Sequence, residues 1–410
     1  MATEPSSLPR TSVLLGGRGV AGGVDGRGEP ASTWREAMMT GRVRPSGSGA
    51  GFRSASGELL DAVAGLPVDE VLLRVEWARL VPREGALDEE ELDWIGTQLV
   101  ALRAEGKRTG LVLTDGAVPS WMGPEAWLMP AMPGRLVDLA LGLVGALGGM
   151  ADVILPVEEP GAWCAAGWVV GSAPPLRRGA LRDAMVAVDA MVAAHLRTAA
   201  ALASTAPDVE VTWLASTGVA QVAERAVLGL PVGTSATGRA IAALASRGPG
   251  LAAGLRAEGL VQGVSPILPF GDRPPSPTGP LEAGCWAAGR ALSPPATTVS
   301  EAQEAFGPGP AGLRLLHTCA TIDERGRVSG LRGHHRVAQI EGALAEMSSR
   351  APAGRLVVGE ACDRWRWGSY RAREGLFGVD RTRGARGYEL LPTDSAGIDV
   401  ASALAGILAG

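Results

Sequence analysis

The sequence predicts a single (β/α)8 barrel, an α/β fold, and three observations predict it. Short apolar runs alternate with helical patterns from end to end, as βα units and a parallel sheet require. The runs are continuously apolar, as expected of strands covered on both faces. The length, 410 residues, suits one barrel with loop insertions and needs no disulfide staples. We read residues 11–410 as that barrel and residues 1–10 as a flexible polar N-terminus.

The strands are expected at Ser12–Gly16, Val71–Val75, Gly110–Leu113, Val153–Val157, Val209–Leu214, Leu260–Val264, Leu313–Leu316 and Leu356–Gly359. Between them, Leu92, Ile95, Leu99 and Leu102 recur at 3-4-3 spacing and share one helix face. Asp88 followed by Glu91 resembles a capping box at that helix's start. Leu181 to Ala203 reads as a long Ala/Met/Val helix, and Val337, Ile340, Leu344 and Met347 mark another before the last strand. The Pro/Gly-rich stretch from Pro266 to Pro280 reads as a loop.

Composition excludes several classes. Net charge is −5 and Lys107 is the only lysine, so nucleic acid and anionic membrane are not expected partners. No apolar run reads as uniform enough to span a bilayer. Met1 to Arg10 lacks an apolar signal core, so a cytoplasmic location is expected. Cys164, Cys285, Cys319 and Cys362 show no zinc spacing. Gly17 to Gly22 fits GxGxxG, but no helix start follows it. The dinucleotide fingerprint needs that helix, and no cofactor is implied. The sequence leaves the oligomeric state open.

Several segments together point to a family. Asp25-Gly26-Arg27-Gly28 precedes Pro30, Ser32 and Trp34. Val75-Glu76-Trp77-Ala78-Arg79 leads to Pro82 and Gly85, and Val118-Pro119-Ser120-Trp121 follows the third strand. Glu158-Glu159-Pro160 ends the fourth. Trp365-Arg366-Trp367 precedes Gly375 to Asp380, and Pro392 to Ala396 closes the series. In order and spacing these segments resemble the family 1 glycoside hydrolases, the retaining β-glycosidases. The resemblance implies a (β/α)8 barrel with its site at the C-terminal ends of the strands.

Retaining hydrolysis needs two carboxyls about 5–5.5 Å apart, one acid/base and one nucleophile. The resemblance assigns Glu159 as acid/base. It places Thr318 at the nucleophile, where the family has Glu, and a threonine hydroxyl is a poor nucleophile without an adjacent base. Other sugar contacts are also replaced. The family's Asn before the acid/base is Glu158, its His after strand three is Asp115, and its Glu between two aromatics is Arg366. Its Arg on strand two falls on Leu72, although Arg74 shares that inward face by the period of two. Its Tyr after strand six is replaced by Ser265, Pro266 and Ile267, and its Trp ending strand eight by Gly359.

Each candidate has a plainer reading beside the functional one. Alternation along a strand sends Glu159 into the mouth and Glu158 to the other face. Glu159 is then a general acid or base, or an inherited carboxylate paired with arginine. Asp115, Glu360, Asp363 and Arg366 form a new polar site with Arg74 and Glu159, or satisfy one another as ion pairs. His317, Cys319 and Cys362 with a nearby acid are a metal set on paper, and buried thiols with a packed imidazole otherwise. Trp121, Trp163, Trp168, Trp365 and Trp367 line an aromatic pocket or simply pack.

The leading expectation is a repurposed enzyme for a glycoside or an oxygen-rich or aromatic metabolite. Glu159 would be its acid/base, with Arg74, Asp115, Glu158, Thr318, Glu360, Arg366, Trp121, Trp365 and Trp367 around the ligand. Two others stand beside it. One is a pseudo-glycosidase that binds a glycoside or a protein partner. The other is a working glycosidase with a relocated nucleophile, such as Asp323 or Glu324, or with an inverting mechanism.

Overall fold

Eight parallel strands close on themselves in chain order. They are β1 (Arg10–Gly16), β2 (Glu70–Arg74), β3 (Arg108–Thr114), β4 (Val153–Val157), β5 (Glu210–Leu214), β6 (Val264–Phe270), β7 (Gly312–Leu315) and β8 (Arg355–Cys362). Pairing of β1 with β8 completes the barrel, and a short β9 (Gly375–Phe377) adds to β8 beyond it. The computed structural model describes residues 9–17, 30–41, 43, 53, 56–262, 264–270, 311–315, 320–322, 328–329, 333–350, 353–364, 372–380 and 389–409. Of the N-terminal segment expected to be flexible, residues 1–8 lie outside these, and Arg10 already belongs to β1.

The period of two builds the barrel interior in tiers. On β2, Glu70, Leu72 and Arg74 face inward at successive heights. Glu70 is fully buried at the N-terminal end, where it accepts from Arg355 at 2.7 and 3.0 Å and from the Ser12 hydroxyl at 2.9 Å. Leu14, Leu72, Val112, Val153, Leu155, Leu214, Ile267 and Val357 form a dry middle tier. Arg74 reaches the C-terminal mouth. The other strand faces, with Val13, Leu73, Leu111 and Ile154, pack under the helices.

Those helices include α1 (Thr33–Met39), α2 (Ser56–Ala64), α3 (Glu89–Ala104), α4 (Met132–Leu147), α5 (Pro160–Cys164), α6 (Leu181–Thr205), α7 (Gly218–Val227), α8 (Gly333–Arg350) and α9 (Val400–Ala409). Asp88 caps α3 as expected, accepting from the Glu91 N–H at 2.8 Å. The reciprocal half of the capping box is absent, because the Glu91 carboxylate is held by Arg53 at 2.7 and 2.9 Å.

Three expectations need correction. Helix α6 is long and apolar enough to cross a membrane, contrary to the sequence reading, but 78% of its most apolar window is buried inside the barrel's shell. A core helix satisfies the same length and composition as a spanning one. The sixth strand starts where it was expected to end. Gly259 takes a φ of 84°, and the Leu260 N–H bonds back to Leu255 at 3.1 Å, so Leu260 and Val261 lie in the turns that follow the helix Leu251–Ala257. The strand then runs through Pro266 and Pro269, each of which forfeits a ladder donor. Ser265, Pro266 and Ile267 are therefore strand residues, not the loop after it. Finally, β8 continues to Cys362, which makes Glu360 a strand residue.

Candidate functional site

Four strands deliver charged side chains to one point at the barrel mouth. Arg74 at the end of β2 donates Nε to Glu158 Oε2 at 2.6 Å and Nη2 to Glu158 Oε1 at 2.9 Å. The same guanidinium reaches Glu360 on β8, Nη1 to Oε2 at 2.7 Å and Nη2 to Oε1 at 2.9 Å. Arg314 on β7 donates to Glu360 at 2.8 Å and stands 3.3 Å from Glu159 Oε2. Arg364, just past β8, lies 3.2 Å from both Glu158 and Glu360. Every member has a side chain no more than 9% exposed.

The backbone makes room for this lattice. A Cβ on Gly17 would stand 2.9 Å from Arg74 Cδ, so the arginine stem lies where only glycine leaves space. The β1–β8 register shifts between Ser12 and Val13, which pair with Val357 and Gly359. Such a bulge adds one residue to β8. It turns Glu360 inward where strict alternation would send it into the shell.

Glu158 and Glu159 both face the mouth, which corrects the expectation that alternation would separate them. The Glu158 N–H still bonds Thr114 on β3 at 2.9 Å, and that of Glu159 bonds Leu214 on β5 at 3.1 Å. Glu159 then takes a left-handed φ of 45° as it caps α5. That turn breaks the period of two at the residue where it would apply. A non-glycine residue held there costs free energy, and such residues gather at functional sites.

Charge sorts the carboxyls. Burial alone would raise Glu158, but Arg74, then Arg364 and Arg314, outweigh it and hold the carboxyl well below its usual range. Glu360 is buried too, and Arg364, Arg74 and Arg314 hold it low in the same way. Arg74 is pushed up by Glu158 and Glu360 despite its burial. Asp115 goes the other way: burial raises it, opposed by the Ala117 N–H that donates to Oδ1 at 3.0 Å. The mouth therefore offers two carboxylates locked as anions and one carboxyl biased toward its acid form.

A cavity opens above the lattice, and its walls include Gly17, Ser32, Trp34, Asp115, Glu159 and Arg364. Two of the segments that carry the family resemblance meet here. Ser32 caps α1 and bridges Pro119, while the Thr33 N–H bonds the Val118 carbonyl at 3.0 Å. Trp163 packs behind this wall, edge-on to Trp34 with centroids 5.5 Å apart.

Of the expected site residues, Arg74, Asp115, Glu158 and Glu159 line the cavity, and Glu360 joins them through the lattice. Trp121 stands apart: its indole N–H donates to the Val81 carbonyl at 3.0 Å, and Arg135 covers its ring at 5.0 Å. Trp168 is core. Asp363 turns away to Arg373, Ser395 and the Gly375 and Val379 N–H groups. Thr318, Trp365, Arg366 and Trp367 lie outside the described residues, as do His317, Cys319, Asp323 and Glu324. Among the described residues, no His/Cys/Asp/Glu group is placed to hold a metal.

Sequence reasoning missed Arg314 and Arg364. Arg314 carried a signal, since it is the one charge inside the apolar run Leu313–Leu316. A buried charge in a barrel strand needs a partner across the barrel. Arg364 carried none, because its role depends on where the chain leaves β8.

No protein-family description matches this sequence, and no curated relative does. Solved structures do match over the whole chain. A family 1 β-glucosidase from Thermotoga maritima has a TM-score of 0.75 at 16% identity, covering 100% of this chain and 99% of its own. The same source's β-glucosidase in complex with deoxynojirimycin scores 0.74 at 15% identity, covering 98% of this chain and 99% of its own. The AHE enzyme from Alicyclobacillus herbarius scores 0.70 at 16% identity, with 99% of each chain covered. With its closed barrel and a polar mouth at the C-terminal strand ends, this chain has the fold of the family 1 β-glucosidases it matches.

Proposed function

We propose that this protein is an enzyme acting on a glycoside or on an oxygen-rich or aromatic metabolite, with Glu159 as its general acid/base. It does not hydrolyse simple β-glucosides by double displacement. The observation that carries the reading is Glu159 itself, a buried carboxyl on the cavity wall held in a left-handed conformation at the end of β4. Among the described residues, Asp115 is biased toward its acid form, and the other mouth carboxyls beside Glu159 are held by arginine. Glu158 and Glu360 each meet more than one guanidinium, and so neither lone pair set is open for attack on a sugar carbon. A small-molecule ligand accords with the fold's likeness to a β-glucosidase solved with deoxynojirimycin.

The test is release of aryl alcohol from a panel of aryl glycosides by wild type and Glu159→Gln. We expect no release from β-glucosides by either form. Release that disappears in the mutant would mean a working glycosidase with an unrecognised second carboxyl, and would overturn the reading.

One observation favours a binding protein as the second reading. Arg314 lies 3.3 Å from Glu159, so the carboxyl at the acid/base position is paired with an arginine. A ligand whose affinity and biological effect both survive Glu159→Gln would decide for binding alone.

A further inference from the structure

Helix α5 starts immediately after Glu159, and its first amides are held from behind the barrel. The Gly161 N–H donates to Glu224 Oε1 at 2.9 Å, and the Ala162 N–H donates to Ser216 Oγ at 2.9 Å. Ser216 donates its hydroxyl to Glu224 and its N–H to Glu224 Oε2 at 3.1 Å. Pro160 has no N–H to satisfy, and the Trp163 N–H bonds the Glu159 carbonyl at 3.1 Å. The approach is close: a Cβ on Gly161 would stand 2.3 Å from the Ala220 carbonyl oxygen. Glu224 on α7 is 2% exposed and does not line the cavity.

We propose that Glu224 is a positioning residue for Glu159, clamping the first turn of α5 and so fixing the left-handed residue before it. This rests on Glu159 being the pocket's working carboxyl. A free chain would relax a non-glycine φ of 45° toward the extended or right-handed basin. Here the Pro160–Gly161 peptide, one beyond that residue's own, is tied to a carboxylate that cannot move without breaking three further contacts with Ser216. The clamp also reaches the cavity wall, because Trp163 on α5 stands edge-on to Trp34.

The clamp is electrically coupled to what it holds. Burial raises the Glu224 carboxyl to about 7, against the pull of its hydrogen bonds, and the negative charge of Glu159 adds to the rise. From α5, Cys164 faces it and is itself pushed up, first by burial and then by Glu224. The charged groups on neighbouring elements are engaged elsewhere: Asp189 of α6 with the Leu251 and Ala252 N–H groups, Arg225 of α7 with the Pro231 carbonyl, and Arg239 of the helix Ala236–Ala245 with the Thr234 carbonyl.

The experiment is 19F NMR on the full chain labelled with 5-fluorotryptophan, with the Trp163 resonance assigned by Trp163→Phe and followed from pH 5 to 9. Wild type should show a Trp163 titration with a midpoint near 7. Glu224→Gln keeps an oxygen acceptor for Gly161 but loses the charge, and its Trp163 resonance should not titrate. Glu159→Gln should lower the midpoint, since it removes the neighbouring negative charge. An unchanged titration in Glu224→Gln, no titration in wild type, or an unmoved midpoint in Glu159→Gln would each overturn the proposal. The last arm leaves position 224 intact and decides even if that variant does not fold. Turnover that survives Glu159→Gln would sink the catalytic reading, and it would do so without touching this titration.

Discussion

Arg74 shows most directly how one side chain sets the character of the mouth. Its planar fork meets two carboxylates at once, a geometry that lysine cannot reproduce. Removing one partner of a buried ion pair costs about 3–5 kcal/mol, because an uncompensated charge stays behind. Arg74→Ala leaves Glu158 and Glu360 to Arg314 and Arg364 alone, and it should lose about that much in denaturant unfolding. Glu158 and Glu360 should also rise toward their ordinary range, since Arg74 is a principal cause of their depression. These two residues contribute stability that is present above the unfolded carboxyl value, about 4.5, and lost as pH falls through the folded one. Arg74→Ala should therefore flatten the acid limb of the stability curve.

At the scale of elements, α6 carries an unusual interior group. His195 is fully buried in it, edge-on to Trp213 at 4.6 Å, and neither ring nitrogen has a partner among the described residues. Burial lowers it to about 3. The fold thus keeps the ring neutral while the unfolded chain takes up a proton below about 6.5. Stability from this group is complete above 6.5 and drains as pH falls from there toward 3. His195→Phe should remove that loss, making the slope shallower by up to about 1.4 kcal/mol per pH unit in that window. It should also stabilise the protein by about 1–3 kcal/mol near neutrality, since orphaned polar atoms leave the core. Urea unfolding at several pH values reads both effects. The same helix explains a limit of sequence reading: a long, mostly apolar window has the same composition in a core helix and a spanning one, and only the shell around it separates them.

For the molecule as a whole, the barrel has a charged plug at each end and a dry tier between them. The N-terminal plug joins Glu70 and Glu210 to Arg355 and Arg10, with contacts of 2.7–3.1 Å for the closest pairs. That end of a barrel serves stability, while the other carries function. Glu70→Ala should cost about 3–5 kcal/mol in unfolding by removing the fully buried partner of Arg355 and leaving it to the half-buried Glu210. It should leave the Trp163 titration unmoved, and a shift there would mean that the two ends are coupled.

The barrel itself was legible in the sequence because burial on both faces forces continuous apolar runs, and because Asp88 caps α3 with its own side chain. Chain order and local chemistry also determined that Glu159 and Arg74 reach the mouth, since a strand's end and its period of two are local properties. Tertiary structure alone decided the rest. The bulge opposite Ser12 and Val13 turned Glu360 inward, the left-handed turn at Glu159 put two successive carboxyls on one wall, and Leu260 and Val261 went into turns after a helix instead of opening β6. Arg314 meets Glu360 46 positions away, and Arg364 meets Glu158 206 positions away as well as nearby Glu360. Pairing of charges across a barrel depends on distances through space, and no spacing along the chain encodes them.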